Sequence, residues 1–274
     1  MANASSYDRT TGSSEYAQIQ KYGGFYVGRY EAGVSTLDET THTFKDSVTF
    51  NNSASLYNPV GIQSGINNWG WQNYDYIARG KVITDSNYPN KATGNIVEKA
   101  NSIPYYHADY TTAITKAKEM YSNNYVQSGL VTGTMWDVTL NYFKNQDNSL
   151  DLTKTTWGNY NDTTLTECKG RYITVNSSNG STSDIAQNTD GARHYGIMTT
   201  ASSEDTKKCN IYDMAGNLWE WTEEIANDLS NNYYMIRGGS FYNTYASRPA
   251  CYRDYGYASD TSTNQGFRPA LFIK

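Results

Sequence analysis

The residues with the most chemistry in them are few. Cys168, Cys209 and Cys251 could bring thiolates to a metal or pair as disulfides, but the three are widely spaced and odd in number. They form neither a metal-binding spacing nor a disulfide framework. His42, His107 and His194 stand far apart, in no ligand spacing, and read as surface residues in polar surroundings. What is concentrated instead is tyrosine. Tyr242, Tyr245, Tyr252, Tyr255 and Tyr257 crowd one short segment, with Asn243, Arg248 and Asp254 among them. The chemistry on offer there is recognition rather than bond-making. Tyrosine presents a flat apolar face with a polar tip, has few rotatable bonds to order, and with arginine dominates binding hot spots. The segment follows a period of neither 2 nor 3.6, so it is not one buried face. Its side chains are expected to line an exposed patch while the fold holds the backbone.

The elements that must hold it are short. Residues 1–13 are small and polar, and are expected to be a disordered N-terminus or a cloning remnant. A short helix is expected over 14–21, then a strand leaving the Gly-rich turn in YGGFYVGRYEAG, residues 22–33. Residues 34–100 read as long loops with a few short strands, one at 81–84, and the two Trp of NNWGWQNY should pin such a loop to the core. Thr111 and Thr112 mark the start of a helix running to about Tyr121, with Ala113, Ile114, Ala117 and Met120 at helical spacing. A second helix is expected over 132–144, with Met135, Trp136, Leu140 and Phe143 on one face. Residues 128–131 form a short buried segment between them, and 171–175 a strand. Short strands, two helices and long loops point to an α+β domain.

Composition narrows the partners. The 274 residues suit one large domain or two small ones and can bury a core without staples. Tyr, at 26 against 7 Phe and 6 Trp, is the outlier in a chain only 18% charged. Alone, that composition also suits a β-rich protein with half-exposed tyrosines. The net charge of −5 and the lack of a basic stripe argue against a nucleic-acid partner. No apolar run approaches a membrane span, so no membrane insertion is expected. The start shows no charged-then-apolar pattern of a secretory signal.

The most specific stretch is NIYDMAGNLWEWT, residues 210–222. It resembles the N-x-x-D-M-x-G-N-V-W-E-W motif of formylglycine-generating-enzyme-like (sulfatase-modifying factor) domains. Arg237-Gly-Gly-Ser240 and Gly266-Phe-Arg268 follow in that family's order, and GFYVGRYEAG and SGLVTGTMWDVTL resemble it too. The resemblance runs from about Tyr16 to Lys274. It implies a C-type lectin fold of the formylglycine-generating-enzyme type, over 14–274, in which the first and last strands, here 24–30 and 267–273, pair. Trp219 and Trp221 are expected to anchor a turn in the core.

The resemblance also sets a test for catalysis. In the enzyme, two cysteines after R-x-G-G-S bind copper(I), which needs soft thiolates. By spacing, those positions are Asn243 and Arg248 here, and Cys251 stands alone three positions late. No copper is expected, and the chain reads as a non-enzyme. The family's calcium site implies a structural Ca²⁺ on the side chains of Asp213 and Glu220 and the carbonyls of Gly216 and Leu218, oxygen ligands that suit the ion. The alternative is that Asp213 caps a turn and Glu220 pairs with a Lys or Arg.

Near the C-terminus, FYNTYASRPACYRDYGYASDTSTNQ, residues 241–265, is framed by RGGS and GFRPALFIK. This is similar to the variable region, here near 237–271, of retroelement-diversified proteins of phages and gut bacteria. Those proteins change surface residues on a C-type lectin scaffold. The resemblance implies a binding surface made of Phe241, Tyr242, Asn243, Tyr245, Arg248, Cys251, Tyr252, Asp254, Tyr255 and Tyr257. The expected partner is a protein or glycan on a cell surface, met as part of a longer display or tail protein on a virion or bacterial surface. A lectin of fixed carbohydrate specificity is the alternative; a copper-dependent oxidase of protein cysteine is the third.

Overall fold

The computed structural model describes residues 23–34, 96–106, 108–121, 123–175, 186–227, 232–260 and 262–273. The expected helix at 14–21, the strand at 81–84, the NNWGWQNY tryptophans, His42 and His107 lie outside these.

Two sheets share one stretch of chain. In the first, the strands run Arg253–Gly256, Asn232–Arg237, Trp219–Asn227, Gln265–Phe267, antiparallel except for the last pair. After Arg268 the chain enters the strand Pro269–Ile273, which lies centrally in the second sheet between Tyr26–Val27 and Val126–Leu130. Tyr26 faces Leu271 and Val27 faces Ala270, so the expected pairing of first and last strands is present. The observed first strand is only two residues long, shorter than the expected 24–30. The strand Arg171–Thr174 forms within the expected 171–175.

The helix Tyr110–Met120 is capped just ahead of the expected Thr111 and Thr112, because Asp109 Oδ1 accepts from the Thr112 amide at 2.6 Å. A carboxylate is the stronger cap for the unpaired amides of a first turn. Ala113 and Ala117 are fully buried; their small size lets the helix settle onto Trp219, Trp221, Leu130 and Phe267. The helix Gly133–Gln146 is capped by Thr132, whose hydroxyl accepts from Met135 N at 3.1 Å. Met135, Trp136, Leu140 and Phe143 are all buried, as their spacing predicts. Each contributes about 1.5–3 kcal/mol by leaving water. No helix among the described residues is long and apolar enough to cross a membrane.

Trp219 and Trp221 are buried, but on a nine-residue strand instead of a turn. Trp221 Nε1 donates to Ala108 O at 2.6 Å, which ties the strand to the entry of the first helix. Asn217, just before that strand, has a left-handed backbone (φ 55°) and a fully used side chain. It donates to Glu31 Oε2 at 2.5 Å and accepts from Met198 N and Asn159 Nδ2, both at 3.0 Å. The Gly-Asn of the motif is therefore the knot joining the N-terminal strand region to the C-terminal sheet.

Candidate functional site

The segment after Arg237 reverses through Gly238 and Gly239, at φ 93° and 73°. A Cβ at Gly239 would collide with Arg248 O and crowd Tyr160, so only glycine lets the chain fold back on itself here. The returning segment is then fastened to the fold through its main chain. Phe241 N donates to Asn217 O at 2.9 Å. Ala250 O accepts from Trp136 Nε1 at 2.9 Å, and Ala250 N donates to Thr155 Oγ1 at 3.1 Å.

The side chains divide into three sets. Tyr242, Tyr255 and Tyr257 are 51%, 60% and 47% exposed, which for so large a side chain is a presented surface. Tyr255 and Tyr257 both lean on Tyr233, with ring centroids at 4.8 and 5.2 Å. Arg248, Tyr252 and Asp254 form a linked, half-exposed group. The Arg248 guanidinium lies 4.4 Å over the Tyr252 ring, and its Nε is 3.3 Å from Asp254 Oδ2. Tyr252 in turn leans on Trp219 at 6.3 Å. The third set serves the loop. Asn243 Oδ1 accepts from Ser240 N at 3.0 Å and from its hydroxyl at 2.9 Å, closing the turn. Tyr245 and Cys251 are half-buried against the core that holds Trp136.

Phe241 corrects the expectation. It is 1% exposed, packed with Ile103, Ile197 and Leu218 and edge-on to Tyr195, so it supports the patch from below and cannot meet a ligand. Three residues that sequence spacing missed belong to the neighbourhood. Tyr233 could have been found, since it stands beside Tyr234 just before RGGS. Asn161 and Asp162, which bond to the segment, carry no signal: they stand some eighty residues earlier in a polar loop.

The positions that hold copper in the enzyme carry no soft donor here. Asn243 is spent on Ser240 and Arg248 on Tyr252 and Asp254. Cys251 is a free thiol that burial pushes above its ordinary pKa. The residues present do not fit copper(I). His194 stacks on Tyr172 at 3.7 Å and touches Asp190, far in purpose from any ligand cluster. Among the described residues no group of three or more His, Cys, Asp or Glu is arranged to hold a metal.

The expected calcium donors are committed elsewhere. Both oxygens of Glu220 face Arg268, Nη2 at 2.7 Å and Nε at 3.0 Å, and Asp213 Oδ2 accepts from Ala201 N at 2.8 Å. Asp213 itself sits at φ 59°, in a turn. A buried guanidinium already supplies positive charge to this carboxylate, so the side chains of Asp213 and Glu220 do not fit a calcium site. The turn-and-ion-pair alternative describes them. Burial pushes Glu220 up to about 7, and Arg268 opposes that rise. Burial first, then Asp213 and Glu220, holds the nearby Glu31 well above the usual carboxylate range.

The neighbouring charge cluster is separate. Arg237 is fully buried and pairs with Asp137 at 2.5 Å, while Arg253 bridges Asp137 and Glu224, the latter at 2.8 Å. It fastens the strands Asn232–Arg237 and Arg253–Gly256 to the second helix.

The model of the FGE-sulfatase family, described as the sulfatase-modifying factor enzyme 1-like domain, matches residues 85–272. No curated protein matches the chain. Among solved structures the chain is similar to that reported as the crystal structure of CarF, with 14% identity over 62% of this chain and 68% of that one, at a TM-score of 0.44. It is also similar to Treponema denticola variable protein 1, with 13% identity over 61% and 70% of the two chains and a TM-score of 0.39. The matched family stretch covers most of the chain and contains both the 210–222 motif and the RGGS turn, and the chain belongs to the family of sulfatase-modifying factor enzyme 1-like domains.

Proposed function

We propose that this chain is a ligand-binding protein that displays a diversified, Tyr-rich surface on its family's scaffold, and that it is not a catalyst. One observation carries the reading. From residue 241 to 257 the main chain is fastened by bonds from Asn217, Trp136 and Thr155, while Tyr242, Tyr255 and Tyr257 stand about half exposed or more. Such a segment can change its outward side chains without losing its shape. Exposed tyrosines beside an arginine suit a cell-surface protein or glycan, since both offer flat or stepped faces for an aromatic ring. The departure from catalysis rests on Asn243 and Arg248 standing where thiolates are needed.

The test is the gene in several isolates. Differences should concentrate at 242, 248, 252, 254, 255 and 257, and should spare Phe241, Ala250 and Gly256, which are buried. A reverse transcriptase gene nearby would strengthen the reading. Differences spread evenly along the gene would leave a binding protein of fixed specificity instead. Oxidation of a cysteine-containing sulfatase peptide by copper-loaded protein would overturn the non-catalytic half.

A further inference from the structure

The loop over residues 155–163 meets the recognition segment at both ends. At one end the Tyr160 hydroxyl donates to Gly238 O at 2.7 Å. At the other, Thr155 Oγ1, 3.0 Å from that same hydroxyl, accepts from Ala250 N. Between them come Asn161 and Asp162. The Asn161 amide donates to Asn243 O at 2.9 Å, and its Nδ2 to Tyr242 O at 3.0 Å. Asp162 Oδ1 accepts from Tyr245 N at 3.0 Å. The loop is itself braced: Thr163 Oγ1 donates to Gly158 O at 2.7 Å and accepts from Tyr160 N at 3.0 Å. Each bond from the loop to the segment ends on a main-chain atom of the segment. None depends on which side chain occupies 242 or 245.

We infer that Asn161 and Asp162 are positioning residues of the recognition surface: they fix the main chain of residues 242–245 and leave the exposed side chain at 242 free to change. This rests on the reading of 241–257 as a binding surface. The two contacts have opposite polarity, which makes the role distinguishable from mere packing. Asp162 is needed as an acceptor, and an amide oxygen can replace it. Asn161 is needed as a donor, and a carboxylate cannot replace it. Without the clamp, the segment must be ordered when a ligand arrives, which weakens binding whatever sequence the patch carries.

Native-state amide exchange of the whole chain tests the first half. Asp162→Ala should speed exchange at the Tyr245 amide by at least about tenfold, while Asp162→Asn keeps it within about threefold. Asn161→Asp should loosen residues 243–245 as much as Asn161→Ala does. Replacing Tyr242, Tyr255 and Tyr257 together by Ser should leave the Tyr245 amide protected. Unchanged exchange in Asp162→Ala, or lost protection in the triple variant, would overturn the clamp. The second half uses a library randomised at 242, 248, 255 and 257 and selected on hen egg lysozyme as probe. Unrelated binders should each lose affinity by about tenfold on Asp162→Ala and regain it with Asp162→Asn. Binders indifferent to Asp162→Ala would sink the clamp and spare the recognition reading. An exchange result as expected, with no binder from the library, would sink the recognition reading and this role with it.

Discussion

Arg268 holds Glu220 through two parallel N–H···O bonds, at 2.7 and 3.0 Å, with both side chains closed to solvent. Its remaining donors reach Gly28 O at 3.0 Å and Tyr212 O at 2.8 Å. One side chain therefore joins the N-terminal strand region, the 210–222 motif and the seam between the two sheets. Glu220→Gln or Arg268→Lys leaves a buried charge without its fork, and either is expected to cost about 3–5 kcal/mol. Denaturant unfolding measures this. A loss below about 1 kcal/mol would mean that water reaches the pair.

The same pairing bears on calcium. Because Glu220 is bound by a guanidinium, a chelator is expected to leave the melting temperature unchanged, and millimolar calcium to add nothing. A rise of several degrees on adding calcium would show an ion binding the native state.

Surface and support should respond differently to substitution. Replacing Tyr242, Tyr255 and Tyr257 by Ser removes exposed rings and their contacts with Tyr233, for a combined loss of at most about 2 kcal/mol. Phe241→Ala opens the core beneath them and is expected to cost about 3–5 kcal/mol. Thermal melts of the two variants compare them directly; equal losses would contradict the division between outward tyrosines and buried support.

Glu224 gives a pH signature. Burial outweighs the pull of Arg237 and Arg253 and raises its carboxyl above the ordinary range. In the unfolded chain it ionises near about pH 4.3. Between the two values the folded protein keeps a proton that the unfolded chain has released. The stability this contributes is full below the unfolded value and is lost as pH rises through the folded one. Glu224→Gln, which does not titrate, is expected to show a shallower fall in melting temperature from about pH 4 upward. Parallel curves for the two proteins would remove Glu224 as the cause.

Much of this was legible from local pattern. The face of Met135, Trp136, Leu140 and Phe143 follows helical spacing because one side of that helix meets the core. The pairing of the first and last strands came from ordered motifs and not from periodicity, since the strand Tyr26–Val27 is too short to show any. The start of the first helix is hidden from spacing because Asp109 lies outside the apolar repeat, yet its carboxylate is what meets the free amides. Phe241 reads like its exposed tyrosine neighbours in the sequence, and the burial that follows the Gly238-Gly239 reversal shows only in three dimensions. Asn161 and Asp162 were invisible because contacts across some eighty residues between polar loops leave no trace in spacing.

The strand Pro269–Ile273 lies between two partners that precede it by well over a hundred residues, and Arg268 before it seals the other sheet. Until residue 273 has left the ribosome, Val126–Leu130 has its helix but no strand partner, and Glu220 lacks Arg268. Folding of this domain therefore finishes after its synthesis. During that wait the unpaired strand edge is open to other chains, so the slow step of folding is also the one exposed to misassociation.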